Sequence, residues 1–129
     1  MPNVTIEVRK QYTLQEEEQI IAAVHAALME GIKTPEWDRT IRLVAHAPHR
    51  FAAPPGRGER YTLVDIDLFS GRSLEAKRAL YQALVRNLGN FGIPADHVKV
   101  LLRESAAENW GIRGGVPASE VDLGFKVDV

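Results

Sequence analysis

Between Asn3 and Arg9 apolar and polar residues alternate, with Val4, Ile6 and Val8 set against Thr5, Glu7 and Arg9. A period of two predicts a half-buried strand over 3–9. Thr13 and Glu16 then have the spacing of a capping box, in which hydroxyl and carboxylate satisfy amide donors at a helix start. Ile20, Ile21, Val24 and Leu28 continue at helical spacing, and Gly31 is read as the stop. Beyond a turn at Pro35, Arg39–His46 reads as a second strand, with Ile41, Leu43 and Ala45 facing one way.

The same pattern returns 60 positions later, with Ile6 matched by Ile66, Thr13 by Ser73, Ile20 by Leu80, Val24 by Leu84, Leu28 by Leu88 and Ile41 by Leu101. The second copy is a strand at Thr62–Phe69, a helix from Ser73 to Phe91 and a strand at His97–Arg103, with Gly92 and Pro94 ending its helix. A strand-helix-strand unit of this length makes a right-handed crossover between parallel strands. Two units side by side predict an α+β two-layer fold: a duplicated β-α-β chain, one four-stranded sheet and two helices on one face. The single domain spans 1–129, with repeats at about 2–46 and 62–104 and a C-terminal segment at 105–129. Val121, Leu123, Phe125 and Val127 alternate there and predict a short added strand or hairpin. The other sheet face also reads as partly apolar, and too few residues remain to cover it, which predicts self-association.

Composition narrows the function. A net charge of −1 gives no electrostatic footprint for nucleic acid or an acidic membrane, and the absence of cysteine removes thiolate chemistry and disulfides. No apolar run has the length of a membrane span, and the N-terminus lacks a signal peptide's apolar core, so a cytoplasmic location is expected. Gly56-Arg57-Gly58 and Arg113-Gly114-Gly115 match no phosphate-binding fingerprint. His46 and His49 flank Pro48 without a third convincing ligand, so no metal site is read; His46 instead is taken to border the site from its strand end.

Pro2, directly behind Met1, is the candidate for chemistry. Removal of Met1 leaves a secondary amine, and an α-amino group with a pKa of about 7.7–8.0 is a base near neutral pH. Proline also simply suits the first position of an edge strand. The position 60 residues on is Thr62, so one such amine per chain is expected. Arg72 offers a guanidinium fork for a carboxylate, or else is a solvated residue before the Ser73 cap. Asp38 would polarise a substrate or orient water, or else close the turn after Pro35; Asn109 and Trp110 would line the pocket, or else serve turn and core.

Pro2 on a strand, the duplicated β-α-β chain, Gly71-Arg72-Ser73, Asp38-Arg39 and Glu108-Asn109-Trp110-Gly111 together resemble the tautomerase superfamily, in the branch of malonate semialdehyde decarboxylase and related small tautomerases. The resemblance implies a homotrimer, a catalytic amino-terminal proline and no cofactor. It matches Pro2 to that proline, Arg72 to a carboxylate-binding arginine, Asp38 to a position where the decarboxylase carries an acidic residue, and Arg39 to the residue that follows it. The decarboxylase carries a second arginine where this chain has Ser70, and the related dehalogenases carry theirs at Phe69. The expected function is therefore that of a tautomerase-like isomerase acting on a small 2-keto or enol acid. Arg72, Arg39, His46, Asn109 and Trp110 are its expected substrate-binding residues, and Pro2 its base, with Asp38 assisting. Decarboxylation or hydration by a cationic proline, and a trimeric binding or scaffold protein without turnover, remain the alternatives.

Overall fold

The computed structural model describes residues 2–129, so whether Met1 is retained lies outside it. Strand β1 (Asn3–Val8) leads through helix α1 (Leu14–Ile32) to β2 (Ile41–Ala45). Strand β3 (Thr62–Phe69) leads through α2 (Leu74–Gly89) to β4 (Val98–Ser105), followed by the short hairpin β5 (Gly111–Ile112) and β6 (Val116–Pro117). The sheet runs β2-β1-β3-β4, parallel within each unit and antiparallel where β1 meets β3. The expected two-layer architecture is what forms.

The alternation does the sorting. Val4, Ile6 and Val8 of β1 and Val64, Ile66 and Leu68 of β3 are buried against Ile20, Val24 and Leu28 of α1 and Leu80, Leu84 and Leu88 of α2. These matched sets make one core between sheet and helix pair. Thr5 lies opposite Asp65, its own counterpart in the repeat, so a local two-fold axis passes between them. The register slips in the last strand. Val4 pairs with Ile41, but Val64 pairs with Val100, so Val100 and not Leu101 takes the place of Ile41. A one-residue slip flips a side chain to the other face, and Leu101 is accordingly 47% exposed on the uncovered face.

Both helices begin as the caps predict: Thr13 accepts from the Glu16 amide while the Glu16 carboxylate accepts from Thr13 N–H, and Ser73 accepts from the Ala76 amide. The Thr13 amide bond holds the Glu16 carboxyl below its usual pKa. Thr13→Ala should lower stability by about 1 kcal/mol, read as a lower urea midpoint at constant slope; an unchanged midpoint would show the cap to be idle.

Three expectations are corrected. Gly31 does not stop α1, which runs on to Ile32 and turns out through Lys33 in the left-handed conformation. Gly31 is instead where the helices cross: an added Cβ would stand 2.5 Å from Leu80 Cα. The tail from Val121 is not a strand, because the Asp122 carboxylate accepts from the Gly124 amide and Gly124 takes a φ of 77°. The hairpin lies earlier, with Arg113, Gly114 and Gly115 supplying its positive-φ turn. Nor does the uncovered sheet face continue an apolar pattern. It carries Arg42 donating to Asn3 and Thr5, Glu7 paired with His46, and Arg103 paired with Asp65, around Val44 and Leu101. No helix among the described residues is long and apolar enough to cross a membrane.

Candidate active site

Pro2 is buried at the start of β1, a central strand, and not on an edge. One register step inward, Asn3 lies opposite Asp67 of β3, and the Val4 amide donates to the Thr40 carbonyl just before β2. The start of β1 is thus flanked by the segment entering β2 and the segment leaving β3. Those two segments carry Asp38 and Arg72.

Asp38 is only 5% exposed. Its amide donates to the Pro35 carbonyl at 3.0 Å, closing the predicted turn. The buried His25 ring on α1 donates from Nε2 to the Glu36 carbonyl at 2.9 Å and fastens the same turn to the helix layer. The structural role expected of His25 is therefore to hold the Asp38 loop.

Arg72 is also 5% exposed, which decides against a solvated role. Gly71, at φ 133°, turns the chain out of β3 and sets Arg72 just before the Ser73 cap. Nη1 donates to the Phe69 carbonyl at 3.0 Å. Nε and Nη2 are buried, and among the described residues neither has a hydrogen-bond partner. These two nitrogens form one edge of the guanidinium, the fork that takes a carboxylate through two parallel hydrogen bonds. Burial pulls the Arg72 pKa below its usual value, while the Glu104 and Asp38 carboxylates oppose that shift. An arginine keeps its charge under such a shift, so Arg72 is a buried cation with one guanidinium edge unpartnered among the described residues.

Glu104 is a site neighbour that sequence reasoning missed. Leu68 and Glu104 are register partners, and Lys77 of α2 pairs with Glu104 at 2.5 Å. The parallel pairing of β3 and β4 was the signal that could have located it. Trp110 stands edge-on to Phe69 at 4.9 Å between centroids and donates from Nε1 to Ser105 at 2.9 Å, so it packs behind the Arg72 turn. Asn109 is exposed in the turn preceding Trp110, and Arg39 is exposed beside Asp38.

His46 does not join this group within the chain. It follows the far end of β2, where its amide donates to Val8, its ring pairs with Glu7 at 2.8 Å and its edge meets Phe51. The expectation that it borders the Pro2 site is corrected: parallel pairing puts the end of β2 beside the end of β1, not beside its start. The repeat also does not duplicate the chemistry. The counterparts of Pro2 and Arg72 are Thr62, whose hydroxyl donates to the Arg60 carbonyl, and the buried Tyr12, whose pKa burial raises.

A hollow of about 310 Å³ lies elsewhere, on the uncovered sheet face between Leu63, Asp65, Lys99 and Arg103. None of its lining residues carries a buried side-chain nitrogen or oxygen without a hydrogen-bond partner, as Arg72 does.

Residues 38–113 match the model of a family described as tautomerase enzymes. A probable tautomerase of Ralstonia nicotianae is 38% identical over 58 residues, which are 44% of this chain and 81% of that protein. Among solved structures, FG41 malonate semialdehyde decarboxylase inhibited by 3-bromopropiolate is 27% identical, with a TM-score of 0.76 over 89% of this chain and 92% of that one. A symmetric trimer of wild-type fused 4-OT is 24% identical, with a TM-score of 0.77 over 90% of this chain and 95% of that one.

Proposed function

The chain belongs to the tautomerase family, and we propose that its reaction is a keto–enol proton transfer on a small 2-keto or enol acid. The observation that carries this reading is the Arg72 guanidinium edge, a buried cation whose Nε and Nη2 have no hydrogen-bond partner among the described residues. With the carboxylate there, the reacting carbons lie toward Pro2. Once Met1 is removed, the Pro2 nitrogen takes the proton from the enol oxygen, the C–O π bond forms as the C=C π bond opens, and the carbon that gains that electron pair takes a proton from the prolinium. Burial of Pro2 disfavours its cationic form and so favours the free amine as the reacting species. Asp38 orients the enol hydroxyl or a water, and Asn109 supplies a hydrogen bond to the substrate carbonyl. Proton transfer of this kind contributes about 10²–10⁴-fold, with the fixed charges of the pocket adding to it.

Decarboxylation or hydration by a cationic proline is the second reading, drawn from the likeness to malonate semialdehyde decarboxylase. Against it stands Ser70, exposed where a second arginine would be needed. The pH–rate profile of phenylenolpyruvate ketonisation separates the two: kcat/KM should fall as Pro2 is protonated at lower pH, whereas activity that rises with protonation would favour the cationic mechanism. Absence of turnover by the processed protein would leave the binding or scaffold reading.

The proposal includes a homotrimer assembled through the uncovered sheet face, supported by the trimeric fused 4-OT and by Val44 and Leu101, exposed there at 40% and 47%. Light scattering should give three times the chain mass at micromolar concentration, and a stable monomer would remove the assembly. A metal has no part in the proposal: among the described residues no group of three or more His, Asp or Glu is arranged to hold one.

A further inference from the structure

Of residues 35–40 only Asp38 is buried; Glu36, Trp37, Arg39 and Thr40 are all exposed. Its seat therefore depends on how the backbone on either side is tied. After it, the Thr40 carbonyl accepts from the Val4 amide at 2.9 Å. Before it stand two ties, the Asp38 amide on the Pro35 carbonyl at 3.0 Å and the His25 ring on the Glu36 carbonyl at 2.9 Å. A carbonyl only accepts, so the ring carries its proton on Nε2. Nδ1 is buried and has no hydrogen-bond partner among the described residues. Burying a polar atom without a partner is unfavourable, and an apolar side chain on this buried face of α1 would avoid that cost. The Glu36 bond is what the histidine adds.

The second unit shows the same turn without a histidine behind it. Val100 takes the place of Ile41, so Pro94 answers to Pro35, Ala95 to Glu36 and His97 to Asp38. The turn bond is repeated, from the His97 amide to the Pro94 carbonyl at 2.9 Å. There, however, the Val98 amide takes the Ala95 carbonyl, and β4 begins at once at Val98. In the first unit the matching carbonyl, that of Glu36, is taken by His25, and β2 begins only at Ile41. The helix position matching His25 is Val85, which has no side-chain donor.

We propose that His25 is a positioning residue for the Asp38 carboxylate. Its Nε2–H replaces the backbone bond that would otherwise carry the turn straight into the strand, and so fixes where Asp38 sits. This rests on the proton-transfer reading, in which Asp38 orients the enol hydroxyl or a water, and adds to it a residue that touches no substrate. The substrate carboxylate is held from another segment, by Arg72, so loss of the latch falls on turnover and not on binding.

The test replaces His25 by Leu, which fills the helix layer without a donor, and by Gln, whose amide keeps one. His25→Leu should lower kcat for phenylenolpyruvate by roughly tenfold and leave KM within about twofold, while His25→Gln recovers most of kcat. In an Asp38→Asn protein, His25→Leu should change kcat by less than about twofold, since the ring acts only through Asp38. Unchanged kcat in the single variant, or an equal loss in the Asp38→Asn background, would overturn the proposal. Two further readings need no turnover. In the unaltered protein the nitrogen chemical shifts of the His25 ring should report a proton on Nε2, and a proton on Nδ1 alone would remove the latch. Amide exchange at Asp38 should quicken by roughly tenfold in His25→Leu while the α1 amides keep their rates; unaltered exchange at Asp38 would also overturn it. Quickened Asp38 exchange in a protein that turns over no enol would sink the proton-transfer reading and leave the latch standing.

Discussion

Arg72→Ala should fold and assemble while losing roughly 100-fold in kcat/KM for a carboxylate-bearing enol. The two open nitrogens each offer a charge-assisted hydrogen bond worth about 1.5 kcal/mol or more, and about 3 kcal/mol is two factors of ten. Much of the loss should appear in KM, because the carboxylate is held equally in ground and transition states. Arg72→Lys keeps the charge but not the fork, and a point charge cannot reproduce two parallel bonds, so it should recover only part of the binding. Truncation also leaves the Phe69 carbonyl without the Nη1 donor and removes a favourable charge from the neighbourhood of the Asp38 and Glu104 carboxylates. Circular dichroism and the thermal midpoint therefore accompany the kinetics. An Arg72→Ala protein with unchanged KM would remove Arg72 from the binding site.

Gly31→Ala should cost stability although alanine is the better helix former. The added Cβ would meet Leu80 Cα at 2.5 Å, Leu80 N at 2.7 Å and Leu80 Cβ at 2.8 Å. Backbone atoms of a packed helix cannot swing aside as a flexible side chain can, so α1 and α2 must separate. Overpacking of this sort costs about 1–3 kcal/mol or more, while the gain in helix propensity returns at most about 1. Gly31→Val adds two methyl groups at the same crossing and should be worse. Chemical denaturation of the series should order Gly above Ala above Val; an alanine variant as stable as the parent would show that the crossing is looser than the structure places it.

How much of this was legible in sequence follows from how local each signal is. The period-two strands and the Thr13 and Ser73 caps depend on neighbours a few residues away, and they formed where the pattern put them. Residues matched across the repeat came together because both core faces obey the same alternation. Gly31 was misread because a helix-stop glycine and a helix-crossing glycine look alike in one dimension; only the approach of Leu80, 49 residues away, distinguishes them. The slip at Leu101 was hidden because apolar residues occupy both Val100 and Leu101. Within the site, Asp38 and Arg72 were found through residue type and resemblance, and the fold buries both at one end of the sheet. His46 was placed wrongly because proximity to a strand end was read without asking which end.

The most direct measurement compares two forms of the same chain on phenylenolpyruvate, one with Met1 removed and Pro2 free, the other with the Pro2 nitrogen acylated. Pro2→Ala is the weaker perturbation, since it still leaves a primary amine. Intact mass identifies each form, and light scattering shows that both assemble alike. The free-amine form should ketonise the enol, and the acylated form, lacking a basic lone pair, should fall by at least about 100-fold. Equal turnover by the two forms would contradict Pro2 as the base.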